Sequence, residues 1–199
     1  MNKIIRKVFM VASLFSAGLL TSCEMDDPEV EYTEVVSMSG EWFVKYEVQD
    51  STGQWEDVSG YTTLLTSSTS ANTATEMWLG DILSDPRAIN FADANFRGTF
   101  WTYMVRTNVD LGSKTFNAND KSIAVEAAKS ETPTKPAVPP IPYDINVKIT
   151  DGRIIEDGST PPSGAVTDSI IFNVEFEDDP GVIYRASGYK RTGFLEDEH

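Results

Sequence analysis

The sequence predicts an all-β protein, an antiparallel β-barrel of about eight strands. Three observations carry this. Apolar residues recur at period two in run after run, most cleanly at Trp42, Val44, Tyr46 and Val48 and at Ile170, Phe172, Val174 and Phe176. That alternation sets one face of a strand against a core and leaves the other wet. The runs are short, bounded by turn residues and not interleaved with amphipathic helices, which argues for an antiparallel sheet. Finally, the runs number about eight or nine, and eight strands close into a barrel just wide enough to fill itself or to hold one small ligand.

The first segment is set aside from the fold as a targeting signal. Lys3, Arg6 and Lys7 precede an apolar run from Val8 to Leu20, too short to span a bilayer comfortably. It ends in Leu20-Thr21-Ser22-Cys23, which resembles the lipobox of bacterial lipoproteins, in which the cysteine is lipidated and becomes the new N-terminus. The alternatives are an ordinary signal peptide with a chance cysteine, or an N-terminal membrane helix. The resemblance implies a leader over residues 1–22 and attachment of the anchor at Cys23. Its three acyl chains exceed the one or two signals that separate transient from stable anchoring. Cys23 is the single cysteine of the chain. Once it is lipidated, no thiol is left for a disulfide, a metal site or a nucleophile. The following Glu24-Met25-Asp26-Asp27-Pro28-Glu29 resembles the acidic signal that sends lipoproteins of one Gram-negative phylum to the cell surface; a solvated tether needs only polarity. Residues 23–38 are therefore expected to be a lipidated acidic tether, on the outer membrane and at the cell surface.

Residues 39–199 are expected to form one barrel domain. Without the leader, 13 basic residues face 31 acidic ones, a net charge of −18. Such a surface repels nucleic acid and anionic headgroups, and no basic stripe with interleaved aromatics is present, so no nucleic-acid partner is expected.

Gly40 to Val48 opens the domain as a strand with Lys45 and Glu47 on its wet face. Asp50 to Gly53 turns. Tyr61–Thr66 and Thr73–Leu79 are further strands, and Gly80–Asn95 is a longer connection with room for one helical turn. Thr99–Val109 is the most aromatic strand, with Trp101, Tyr103, Val105 and Val109 on one face and Phe100, Thr102, Met104, Arg106 and Asn108 on the other. Thr115-Phe116 and Ser122–Val125 read as short strands around Asn117-Ala118-Asn119-Asp120. Residues 132–142 carry five prolines and are expected to be an extended, semi-rigid loop. Tyr143–Ile149 alternates cleanly, Asp151-Gly152 turns, and Arg153–Ile155 follows. The last unit is a hairpin. Asp168–Glu177 is its first arm, with Ile171 the one apolar residue on the wet face. Asp179-Pro180-Gly181 is its turn, with proline at the first corner and glycine where a type II turn needs positive φ. Its second arm runs from Ile183 to Arg191, in a register the pattern leaves open.

Several of these residues resemble the bacterial lipoproteins grouped as lipid-binding putative hydrolases. They are Gly40-Glu41-Trp42, Asp168-Ser169-Ile170, Glu175-Phe176-Glu177-Asp178-Asp179-Pro180-Gly181 and Ser187-Gly188-Tyr189-Lys190-Arg191-Thr192-Gly193-Phe194. The resemblance spans roughly Gly40 to Phe194 and implies a lipocalin-like, calycin-type barrel on a lipid anchor. The family's hydrolase label brings no catalytic motif that this sequence carries.

Chemistry is sparse. The one histidine, His199, is the last residue, and a mobile terminus makes a poor general base. No Gly-x-Ser-x-Gly elbow, phosphate loop or dinucleotide fingerprint occurs. Ser187-Gly188-Tyr189-Lys190 spells Ser-x-x-Lys, but on a strand residues three apart point to opposite faces. Glu175, Glu177, Asp178 and Asp179 read as a solvated strand face and turn, and no calcium-loop spacing is present. No metal, cofactor or catalytic residue is expected. The aromatics remain. Trp42, Tyr46, Trp101, Tyr103, Phe172 and Phe176 line either a ligand cavity or an ordinary packed core. The leading expectation is therefore a barrel that binds a hydrophobic or amphipathic small molecule without turning it over. A structural or adhesion module with a filled core, partnering an outer-membrane protein, is the alternative, and a hydrolase comes third.

Overall fold

Among the described residues, the alternating strands follow one another without an intervening α-helix and close on themselves. The computed structural model describes residues 31–81, 100–126, 133 and 141–199. The expected leader, Cys23, the expected tether up to residue 30, residues 82–99 and most of the expected proline-rich loop lie outside the described residues. The strands are β1 (Gly40–Gln49), β2 (Trp55–Asp57), β3 (Thr62–Ser68), β4 (Glu76–Gly80), β5 (Met104–Asp110), β6 (Thr115–Glu126), β7 (Ile141–Ser159), β8 (Thr167–Phe176) and β9 (Tyr184–Lys190).

From β3 to β9 each strand pairs antiparallel with the next, and β1 pairs with β3 on one edge and β9 on the other. That seam runs from Trp42↔Lys190 to Val48↔Tyr184 and closes a ring of eight strands. β2, which the pattern did not reveal, takes over β1's edge at Glu47–Gln49, beyond the point where β3 has left it. Closure removes the exposed edges that an open sheet must otherwise protect.

The hairpin forms as the sequence predicts. Pro180 takes the first corner, Gly181 has φ of +87°, and Val182 N–H donates to Asp179 C=O at 3.3 Å. The register left open is Ile170↔Gly188, Phe172↔Ala186 and Val174↔Tyr184, so Tyr184, Ala186 and Gly188 share the inward face.

Three segments differ from expectation. Asn117–Asp120 is no turn: β6 is one strand of twelve residues with an irregularity between Phe116 and Ala118. Likewise β7 runs through Asp151-Gly152, whose positions are absorbed as a break in register between Thr150 and Arg153. Pairing that resumes beyond each segment, with β7 from Ala118 and with β6 and β8 from Arg153, turns what reads as a chain reversal into an irregularity that re-aims a strand without ending it. The expected loop over 132–142 also ends earlier, since β7 begins at Ile141 and pairs Pro142 with Val125. β7 meets β8 only from Val147 onward, so Pro142 sits where the strand has one neighbour, the setting in which a sheet tolerates proline.

One end of the ring is plugged by the 3-10 turn Val36–Met38. Val35 and Met38 are fully buried in the core cluster. The Trp42 indole N–H donates to Thr66 Oγ1 at 2.8 Å, and that hydroxyl donates to Met38 C=O at 2.7 Å. The chain's last residues pack on the outer wall. A buried Asp197 accepts from Ser163 N–H and Oγ–H at 2.7 and 2.6 Å. Burial works to raise that carboxyl, but the hydrogen bonds from Ser163 and Thr192 outweigh it and hold it below the ordinary aspartate range. His199 is bedded rather than loose. Its ring stacks on Tyr61 at 3.8 Å, meets Phe43 edge-on, and places Nε2 2.6 Å from the Tyr189 hydroxyl.

Candidate functional site

The inward faces converge on two tiers of different chemistry. At the plugged end Trp42, Leu64, Met77, Ile154 and Ile170 make an apolar floor, with Lys190 Nζ 5.7 Å from the Trp42 ring. Toward the opposite end the filling is aromatic. Phe172 meets Phe116 edge-on at 5.8 Å and Tyr46 at 6.5 Å. Above them Phe100 stacks on Tyr46 and Trp101 on Phe176, each at 4.5 Å between ring centres, and Tyr103 and Tyr184 meet Phe176 at 5.3 and 6.0 Å. Tyr46, Tyr103, Phe172 and Phe176 are essentially inaccessible, whereas Phe100, Trp101 and Val182 are only partly buried. The accessible end of the stack is therefore this one, and the described interior below it is occupied by side chains in mutual contact.

A polar group sits inside this apolar end. Asp81 follows the last residue of β4 and is fully inaccessible. Its carboxyl oxygens accept from Thr62 Oγ1–H at 3.0 Å and from the backbone N–H groups of Phe100 and Trp101 at 2.8 and 3.1 Å. Nearby, the Tyr46 and Tyr103 hydroxyls lie 2.9 Å apart. Burial pushes Asp81 up to about 8, against the opposing pull of the Trp101, Thr62 and Phe100 donors. Burial, and then the Asp81 charge, pushes both tyrosines well above the ordinary phenol range.

The Asp81 shift makes the stability of the fold depend on pH. Between the ordinary aspartate value, near 4, and about 8, the folded protein holds a proton that the unfolded chain has released. Stability therefore falls as pH rises through that window and levels off above it, with a slope near 1.4 kcal/mol per pH unit. Asp81→Asn keeps an oxygen for the two N–H groups and turns an amide toward Thr62. Its urea-unfolding free energy is expected to stay flat while the wild type loses about 2 kcal/mol between pH 6 and 7.5. Parallel curves for the two proteins would show that Asp81 is ionised throughout that range.

The six aromatic residues singled out from the sequence all lie on the interior, but not together. Tyr46, Trp101, Tyr103, Phe172 and Phe176 form one array, while Trp42 belongs to the plugged end, bonded to Thr66. Phe100 joins the array although strict alternation from Thr99 put it on the other face. β5 begins only at Met104, because Asp81 draws the N–H groups of Phe100 and Trp101 away from the ladder. Asp81, Thr62 and Tyr184 were not singled out. An acidic residue after a strand reads as solvated, and no sequence signal marks this one as buried.

The remaining motifs resolve as strand geometry implies. Ser187 faces outward toward Glu47 while Lys190 lies over Trp42. Glu175 pairs with Lys148 at 2.7 Å, Glu177 accepts from Asn146 N–H, and Asp178 and Asp179 accept from the Tyr143 and Tyr184 hydroxyls. A cleft of about 610 Å³ lies on the outer wall, among Lys121, Asn146, Lys148 and Glu175. Among the described residues, no three His, Cys, Asp or Glu side chains are placed to hold a metal ion, and no helix is long and apolar enough to cross a membrane.

Fold and interior together define an eight-stranded antiparallel barrel with an aromatic, partly accessible end. Residues 27–195 match the model of the lipid-binding putative hydrolase family, and the chain belongs to that family. No curated protein matches the chain.

Proposed function

We propose that this protein is a lipid-anchored barrel of the outer membrane, displayed at the cell surface, whose accessible end takes up an apolar or amphipathic small molecule without turning it over. The observation that carries the reading is the aromatic array: Phe100 and Trp101, partly buried, stack on Tyr46 and Phe176, so an apolar guest can replace them against rings already facing inward. Aromatic walls suit such a site because each ring supplies much contact area for few rotatable bonds, and tyrosine adds a polar handle. The family's lipid-binding description supports the same ligand class.

Titration with fatty acids, sterols and aromatic amphiphiles, followed by tryptophan emission and thermal shift, tests this. A true ligand at 100 times its dissociation constant adds about 2.7 kcal/mol, and the emission of Trp101 should move with it. A panel without response supports a second reading, a structural or assembly module partnering an outer-membrane protein. One observation favours that reading: the described interior rings already touch one another. Turnover of an ester or glycoside that survives rigorous purification would instead overturn the absence of catalysis.

The anchor rests on the Leu20–Cys23 motif and is tested separately. Cys23→Ser is expected to move the protein from the membrane fraction to the soluble fraction. Full retention on membranes after a high-salt wash would defeat the lipobox reading.

A further inference from the structure

We propose that the Tyr46–Tyr103 hydroxyl pair, backed by Asp81 and Thr62, is the head-group end of the ligand site, and that it selects uncharged amphiphiles bearing an oxygen acceptor over fatty-acid carboxylates. The inference rests on the binding reading above and specifies its chemistry.

The first observation is a proton without a destination. Two phenols 2.9 Å apart share one hydrogen bond; one donates, and the other's own proton is left over. Among the described residues, the contact between them is the one hydrogen bond these two hydroxyls make. Both side chains are wholly inaccessible, and a buried donor left unmade costs about 1–3 kcal/mol. A hydroxyl, ester or amide oxygen on a guest would satisfy it. The partly buried Phe100 stacks on the Tyr46 ring, so a guest displacing Phe100 comes against the ring that carries one of the two hydroxyls.

The second observation is charge. Among the described residues, the titratable groups facing this end are Asp81, Tyr46, Tyr103 and Tyr184, whose hydroxyl meets Asp179, and all are acids. Among the described residues, Lys190 is the cation nearest the interior, and it lies over Trp42 at the plugged end. A carboxylate head would be buried near the Asp81 carboxyl with no counter-charge from the described residues, which is strongly unfavourable. A neutral head meets no such obstacle.

The test uses the full-length protein in phosphatidylcholine nanodiscs, with empty nanodiscs as the partition blank. The probes share one chain length: a monoacylglycerol, a fatty alcohol, the fatty acid and the alkane. Bound probe is counted by mass spectrometry. The expected result is at least tenfold tighter binding of monoacylglycerol and alcohol than of fatty acid, with the alkane between them. In Tyr46→Phe/Tyr103→Phe the alcohol should fall to the level of the alkane, while alkane binding is kept; that retained binding also shows that the variant is folded. Fatty acid bound as tightly as alcohol, or alcohol binding unchanged in the double variant, overturns the head-group assignment while leaving the barrel a binder. Failure of every probe, the alkane included, overturns the binding reading itself.

Discussion

Phe172→Ala is expected to be among the most damaging single substitutions in this protein, costing about 3–5 kcal/mol in urea unfolding. The ring is 1% accessible and links the two interior tiers, edge-on to Phe116 below and to Tyr46 above. Directly across the β8–β9 ladder stands Ala186, too small to fill the void. The comparison is Glu177→Ala at the end of the same strand. It removes one exposed hydrogen bond, from Asn146 N–H to the carboxylate, and should cost no more than about 1 kcal/mol. Equal losses would mean that the inward and outward faces of β8 have been exchanged.

Gly188→Ala should be comparably severe, for the opposite reason. Gly188 sits in the seam opposite Val44. A Cβ there would lie 1.9 Å from the Phe43 carbonyl oxygen and 2.7 Å from Val44 Cα. Overpacking usually costs about 1–3 kcal/mol when side chains can give way. Here the obstacle is β1 backbone, so the loss should reach or pass about 3 kcal/mol, the upper end of that range. Ser187→Ala, one residue earlier and facing outward, should stay within about 0.5 kcal/mol. Similar melting temperatures for the two variants would mean that the seam register is shifted by a residue.

These two positions show what could be read from the sequence. Phe172 announces itself through period-two alternation and the Asp-Pro-Gly turn that follows, both local signals. Gly188 stands inside a motif that resembles the family, but the need for glycine there comes from β1, far away in sequence. The same division runs through the rest of the molecule. Strands with one wet face were legible; β6 and β7 were not, because Asn117–Asp120 and Asp151-Gly152 carry turn chemistry that only the resumed pairing with neighbouring strands overrides. The aromatic array was legible as a composition of inward faces. Its polar centre was not, because the burial of Asp81 depends on Thr62 and on two N–H groups that arrive from a later segment. Alternation puts Phe100 on the wrong face for the same reason: it cannot be extended past the point where the Asp81 carboxyl group draws the chain off the ladder.

The seam between Trp42 and Lys190 also bears on how this chain acquires its shape. The first long strand and the last are each other's neighbours, so the ring is a contact between nearly the two extremes of the domain. Non-local pairings of this kind are assembled slowly, because the entropy of closing a long loop is lost before the contact rewards it. Until β9 has been delivered, β1 keeps a bare row of N–H and C=O groups along its outer edge, open to any extended strand it meets. A chain emerging N-terminus first therefore carries its most adhesive edge from the earliest stage and covers it only with its final strand.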